Sequence, residues 1–310
     1  MQAKFTRESD FRLERDFGAK IGATFEFLGA HWRPLGKCLL YFVLPLTLVM
    51  GVVIGIAQSQ MWGQFDQVAA TSSPADRFSQ LGQLNSFGTF YWLGMLAMLL
   101  SYVVLGATVY SYVRVRMALD PTQEVTPPLV WQEIRRYSPR LLLSAVLIII
   151  ISLVGFVLLV IPGFYLSVAL SLAWAIQVFE DQGTDSSIRR SMNLMSGKWW
   201  STFGLTFVMS LIIGLLGAIL QVPQYVAVIG KVMHWYWLGS DTLMLAANII
   251  ASVVRMLLYT PLLLAIMFQY FNLVERKEGL GLRSLVDSLG SGPAPVAYNH
   301  AFRPDEDGEY

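Results

Sequence analysis

The longest charge-free run in the chain is Leu141–Phe179, LLLSAVLIIIISLVGFVLLVIPGFYLSVALSLAWAIQVF. Roughly 20 helical residues cross the hydrocarbon of a bilayer, so this stretch has the length for two crossings. Pro162-Gly163 near its middle predicts a tight turn between spans at 141–161 and 164–179. The same apolar runs predict four more spans, at about 39–57, 90–113, 199–220 and 250–273. The last helix can begin as early as Thr242. It then measures about 48 Å to Leu273, longer than the roughly 30 Å hydrocarbon, and Pro261 offers a bend.

Between the spans the pattern changes to helical periodicity with one polar face. Phe17, Ile21, Phe25 and Leu28 recur at helical spacing, and Pro34 is expected to break that stretch. Val130, Ile134 and Tyr137 share a face behind Pro127-Pro128, with Arg135 and Arg136 off it. Ile188, Met192 and Met195 do the same in TDSSIRRSMNLMSG, which Gly197 is placed to end. Each of the three stretches leads through an interfacial junction into a pair of spans, a pattern consistent with a threefold helix-hairpin repeat. Gly51–Gly55 reads GVVIG, a small-residue spacing that lets helices approach closely. The expected class is an all-α integral membrane protein with six transmembrane helices and three cytoplasmic amphipathic interfacial helices. Residues 1–10 are expected to be loose, 11–283 to form the membrane domain, and 284–310 to be a disordered tail.

Composition agrees. The 310 residues are 55% hydrophobic and 14% charged, with mean hydropathy +0.53, against roughly 25% charged in soluble proteins. Net charge is +1, which gives no global field for nucleic acid. The only cysteine, Cys38, excludes an intrachain disulfide. MQAKFTRESDFRLERDFGAK has no early apolar core, so the first span is expected to act as its own insertion signal. Six spans put 19 of the 22 Lys and Arg on one side, Arg77 and Lys231 on the other, and Arg255 inside the last helix. The positive-inside rule then makes both termini cytoplasmic, in a bacterial inner membrane.

The candidate chemistry is sparse. His31, His234 and His300 fall at opposite interfaces and in the tail, so they cannot share a metal; the first two are read as interfacial anchors. No HExxH, GxSxG, P-loop or dinucleotide motif occurs. Glu180 and Asp181 are adjacent, diverging by roughly 100 degrees on a helix, which does not make a facing acid/base dyad. Gln177, Asn248, Gln269 and Asn272 read as hydrogen bonds between helices. Arg255 is the intramembrane charge; about 31 Å from Arg276 on a straight helix, it can snorkel to headgroups. Arg189, Arg190, Lys198, Trp199, Trp200, Arg135 and Arg136 are the lipid-interface candidates, the arginines for anionic headgroups and the tryptophans as anchors.

Several segments resemble a known group. IPGFYLSVALSLAWAIQVFEDQGTDSSIRRSMNLMSGKWWSTFG, YTPLLLAIMFQYFNLVERKEG and DFGAKIGATFEFL resemble bacterial multi-pass proteins grouped with the membrane domain of glycerophosphoryl diester phosphodiesterases, over about 11–283. The resemblance implies a fold and a topology. No motif of the catalytic domain of those enzymes appears here, so it implies little about activity. The sequence thus points to a non-catalytic membrane scaffold or accessory protein. It would need no cofactor, and its partners would be anionic lipid and a membrane protein or a second copy. The alternative is a small-solute transporter or channel, to which Arg255 would belong.

Overall fold

The computed structural model describes residues 5–70, 73, 88–233, 235 and 240–279, and among them every regular element is helical. In order they are α1 (Glu8–Phe11), α2 (Phe17–Phe42), α3 (Leu44–Ala70), α4 (Thr89–Ala118), α5 (Pro127–Leu158), α6 (Val160–Ala169), α7 (Ala173–Phe179), α8 (Thr184–Met195), α9 (Trp199–Leu220), α10 (Val222–Val232), α11 (Asp241–Leu258) and α12 (Thr260–Glu278). Six segments are long and apolar enough to cross a membrane: Leu44–Gln64, Thr89–Ala118, Pro127–Leu158, Val160–Phe179, Trp199–Leu220 and Thr242–Glu278. The tail at 284–310, with His300, and also His234 lie outside the described residues.

The span cores fall where the apolar runs predict, and the fifth span has the predicted ends. The breaks do not. Pro34 leaves α2 intact, because the buried face Phe27, His31, Leu35, Cys38 continues through it and tertiary packing holds the helix. The helix is interrupted instead at the single residue Val43, so the first span starts at Leu44 rather than 39. Pro45 is then the second residue of α3, where a missing N–H costs nothing. The polar stretch from Gln58 continues α3 as helix as far as Ala70. Likewise, the hairpin apex is Leu159, in extended conformation, and Pro162 lies in the first turn of α6. The two arms meet at Gly155 and Gly163, where a methyl added to Gly155 would sit 3.0 Å from the Gly163 Cα.

Pro139 also leaves its helix unbroken, so the stretch from Pro127 and the third span are one 32-residue helix. Val130, Ile134 and Tyr137 are buried together, as their spacing predicts. The fourth span is interrupted at Leu170–Leu172. There the Ala173 N–H turns to the Leu170 carbonyl, which frees the Ala169 carbonyl that a continuous helix would use. The buried Ser191 hydroxyl of α8 donates to that carbonyl at 2.6 Å. An apolar interior requires such a replacement partner. The last span bends at Tyr259, and Pro261 is the second residue of α12.

Helix α3 packs along α11 through its own glycines, and along α4 at Gly94 of that helix. A methyl on Gly51 would lie 2.8 Å from the Ile249 Cα, and one on Gly55 2.5 Å from Leu245 Cδ1. The GVVIG motif is therefore a contact surface between spans. The inner lengths of α4 and α12 are buried almost completely, from Val103 to Val115 apart from Val104 and Arg114, and from Leu263 to Val274. They form the axis around which the other elements gather.

Residues 5–11 are packed, contrary to the loose N-terminus expected. Phe5 and Phe11 are buried against Phe27 and Phe268, with ring centroids 5.7–6.2 Å apart. Burying a Phe side chain contributes about 1.5–3 kcal/mol, enough to hold a short segment whose remaining residues are polar.

Candidate functional site

The basic end of the bundle is tied together by ion pairs between elements distant in sequence. Arg190 of α8 pairs with Glu180 at 3.1 Å and with Glu278 at the end of α12. The Tyr270 hydroxyl donates to the same Glu180 at 3.1 Å, and Gln182 Nε2 donates to its other oxygen at 2.9 Å. Burial alone would lower the pKa of Arg190, but its hydrogen bonds to Glu278 and Glu180 outweigh that and hold it above the usual arginine value. Asp181, at a positive φ of 52°, turns the other way and accepts from Arg136 and from Arg140, the latter at 3.0 Å. The adjacent carboxylates therefore serve different partners, and no dyad forms. Arg114 pairs with Glu133 at 3.3 Å, Arg276 with Glu14 at 2.6 Å, and Lys277 donates to the Asn193 carbonyl at 2.6 Å.

A second network lies deeper. Lys20 is 2% exposed. Its ammonium donates to Gln269 Oε1 at 2.7 Å and to Ser201 Oγ at 3.4 Å, and Gln269 Nε2 donates to Thr202 Oγ1 at 2.8 Å. Burial, with Arg276 nearby, depresses the pKa of Lys20 below the usual lysine value, while Asp16 opposes the shift. Asn272 Oδ1 accepts the Arg15 N–H at 2.8 Å, and the Arg15 guanidinium lies 5.0 Å from the Phe268 ring centre. Gln177 bridges Ser144 and Ser187. Asn248 donates to Gln58. All four amides named from the sequence thus link separate elements.

The lipid-interface candidates separate into two sets. Arg190 and Arg136 face carboxylates of the protein. Trp199 is also tied to the protein: its indole N–H donates to the Tyr165 backbone carbonyl at 3.1 Å and its ring stacks on Tyr165. Arg135, Arg189, Lys198 and Trp200 face outward, Trp200 being 77% exposed, although Arg189 also meets the exposed Asp185 at 3.1 Å. Helix α8 does not bury the face that hydrophobicity suggests. Ser187, Ser191, Leu194 and Met195 are buried, whereas Met192 is exposed and Ile188 half-buried. Two serines face inward because they satisfy Gln177 and the open carbonyl of Ala169; apolar periodicity carries no signal for that.

His31 is a core residue rather than an interfacial anchor. It is 7% exposed, its Nδ1 lies 3.1 Å from the Tyr112 hydroxyl, and its ring stacks on Phe27 at 4.7 Å. Among the described residues, no three His, Cys, Asp or Glu side chains gather as a metal site. Cys38 is fully buried, and desolvation pushes its thiol up to about 11. Buried in apolar surroundings and protonated at neutral pH, it has no nucleophilic character.

Toward the other end of the bundle, Arg255 borders a cavity of about 340 Å³ between α3, α4, α10 and α11. Its guanidinium donates to Gln221 Oε1, a neutral acceptor. Among the described residues it has no acidic partner. No family model, curated protein or solved structure matches this chain. The geometry alone therefore carries the functional reading.

Proposed function

We propose that the protein is a non-catalytic scaffold or accessory protein of the bacterial inner membrane, with both termini cytoplasmic. Its amphipathic helices present a basic surface to anionic lipid and to a membrane partner or a second copy. The observation that supports this is the division of the charged groups. At the basic end the ion pairs of Glu180, Asp181 and Glu278 join helices to one another rather than lining an open site, while Arg135, Arg189, Lys198 and Trp200 remain outward. Outward Lys and Arg near a membrane surface attract anionic headgroups by about 1 kcal/mol each.

The test is native mass spectrometry of protein released from vesicles of mixed anionic and zwitterionic phospholipid. The wild type is expected to retain anionic lipid preferentially, and Arg135→Gln/Arg189→Gln/Lys198→Gln to lose most of that preference. Equal retention by both proteins would overturn the lipid-surface reading. A second reading, small-solute transport, draws on the cavity beside Arg255. Proteoliposomes showing a saturable solute flux that Arg255→Ala abolishes would favour it.

A further inference from the structure

The cavity beside Arg255 has a polar side and an apolar side. Arg255, Gln224, Gln58 and Asn248 line the first; Met50, Met61, Met95 and Met98 are prominent on the second. Gln58 and Asn248 are bonded to each other, whereas Gln224 Oε1 is buried without a hydrogen-bond partner. The Arg255 guanidinium has five N–H donors, and one neutral acceptor, Gln221, engages it. An arginine within a spanning helix that meets no carboxylate among the described residues is a functional-site candidate. Its planar fork matches a phosphate or carboxylate through two parallel hydrogen bonds.

The opening is as telling as the lining. Arg255, Met61, Met95 and Met98 are exposed while Met50, Asn248, Ser252 and Met256 are buried, so the cavity runs inward from the flank of the bundle. Its mouth lies on helices apolar enough to face lipid. The volume falls in the usual range for ligand pockets, roughly 300–1,000 Å³. Methionine, unbranched and flexible, adapts to chains of varied shape. A water-soluble anion would leave the methionine wall without a partner, and a neutral lipid would leave Arg255 without one.

We propose that this cavity holds a single anionic phospholipid, its phosphate on Arg255 and the start of one acyl chain along the methionines of α3 and α4. The site is independent of the basic end described above and lies across the bundle from it. The probe is an anionic phospholipid carrying a photoreactive group near the top of one acyl chain, reconstituted with the full chain in nanodiscs. Labelled peptides are mapped by mass spectrometry.

Adducts are expected on the segments bearing Met61 and Met95–Met98. Arg255→Gln should reduce them about tenfold, the loss of a hydrogen bond to a charged group, and reduce labelling by the zwitterionic analogue less, because its ammonium group already offsets the phosphate charge. Arg255→Lys, which keeps the charge but not the fork, should label at an intermediate level. Met98→Trp, which fills the apolar side and spares Arg255, should also reduce the adducts; it keeps the test decisive if an Arg255 variant folds poorly. Unlabelled anionic phospholipid should compete, whereas inorganic phosphate should not. Arg135→Gln/Arg189→Gln/Lys198→Gln should leave this labelling as it is, which separates the site from the surface proposed earlier. Equal labelling of wild type and Arg255→Gln, adducts confined to other helices, or competition by phosphate alone would overturn the proposal.

Discussion

Replacing Arg190 with methionine is expected to destabilise the protein by about 2–4 kcal/mol, the range for removing one member of a largely desolvated ion pair, discounted for partial exposure. The side chains of Arg190, Glu180 and Glu278 are 28%, 19% and 31% exposed, so solvent screens them only in part. Without the guanidinium two carboxylates face each other across α7, α8 and α12, and only the neutral donors Tyr270 and Gln182 are left to hydrogen-bond one of them. The cost therefore comes mainly from stranded negative charge. Arg190→Met/Glu180→Gln/Glu278→Gln should recover most of it, because neutral amides remove the repulsion and still accept from Tyr270. Unfolding followed in the same detergent measures both variants. A loss below about 0.5 kcal/mol for Arg190→Met, the range of an ordinary surface substitution, would mean that this network does not hold the basic end together.

Gly51→Leu is expected to cost about 3 kcal/mol, the upper part of the range for forcing extra atoms into a packed contact. The obstacle is backbone: a Cβ at this position would meet the Ile249 Cα at 2.8 Å, and α11 can only yield by moving as a whole. Gly63→Ala on the same helix is the control, since nothing lies within 4 Å of its added methyl. There the helix propensity of alanine should stabilise by up to about 1 kcal/mol. Opposite signs at two glycines of one helix would be diagnostic of close helix approach. Destabilisation by both, or by neither, would remove the α3–α11 contact as a feature of the folded state.

The spans were legible because uninterrupted apolar composition is the physical requirement for crossing a membrane, and six such runs can be counted directly. The ends of the helices were harder. Proline punctuates soluble sequences, but here Pro34 and Pro139 sit inside packed helices, and Pro45 and Pro162 sit in first turns. Two of the actual breaks, at Val43 and Leu159, come just before Pro45 and Pro162, so these prolines mark helix starts. The third, at Leu170–Leu172, lies among apolar residues with no local signal, because what stabilises it is elsewhere. Ser191, 22 residues beyond Ala169, supplies the missing hydrogen bond there. Lys20–Gln269 and Arg15–Asn272 join residues 249 and 257 positions apart, beyond the reach of any periodicity. Arg255 was visible as an anomaly of charge, but the cavity beside it depends on the joint arrangement of four helices.

The proposed topology is six spans with both ends of the chain on the cytoplasmic side. In the folded protein ion pairs bring Glu14, Glu133, Asp181, Arg190 and Glu278 to one end of the bundle, the end that this topology makes cytoplasmic. The most direct measurement is labelling of intact cells with a membrane-impermeant thiol reagent. Cys38 is first replaced by alanine, and single cysteines are placed in turn at Ser73, Ser186 and Ser288. Only the Ser73 position is expected to react before the cells are opened, and the other two only afterwards. Labelling at Ser186 in intact cells would contradict the account, because it would put α8 and its arginines on the outer face.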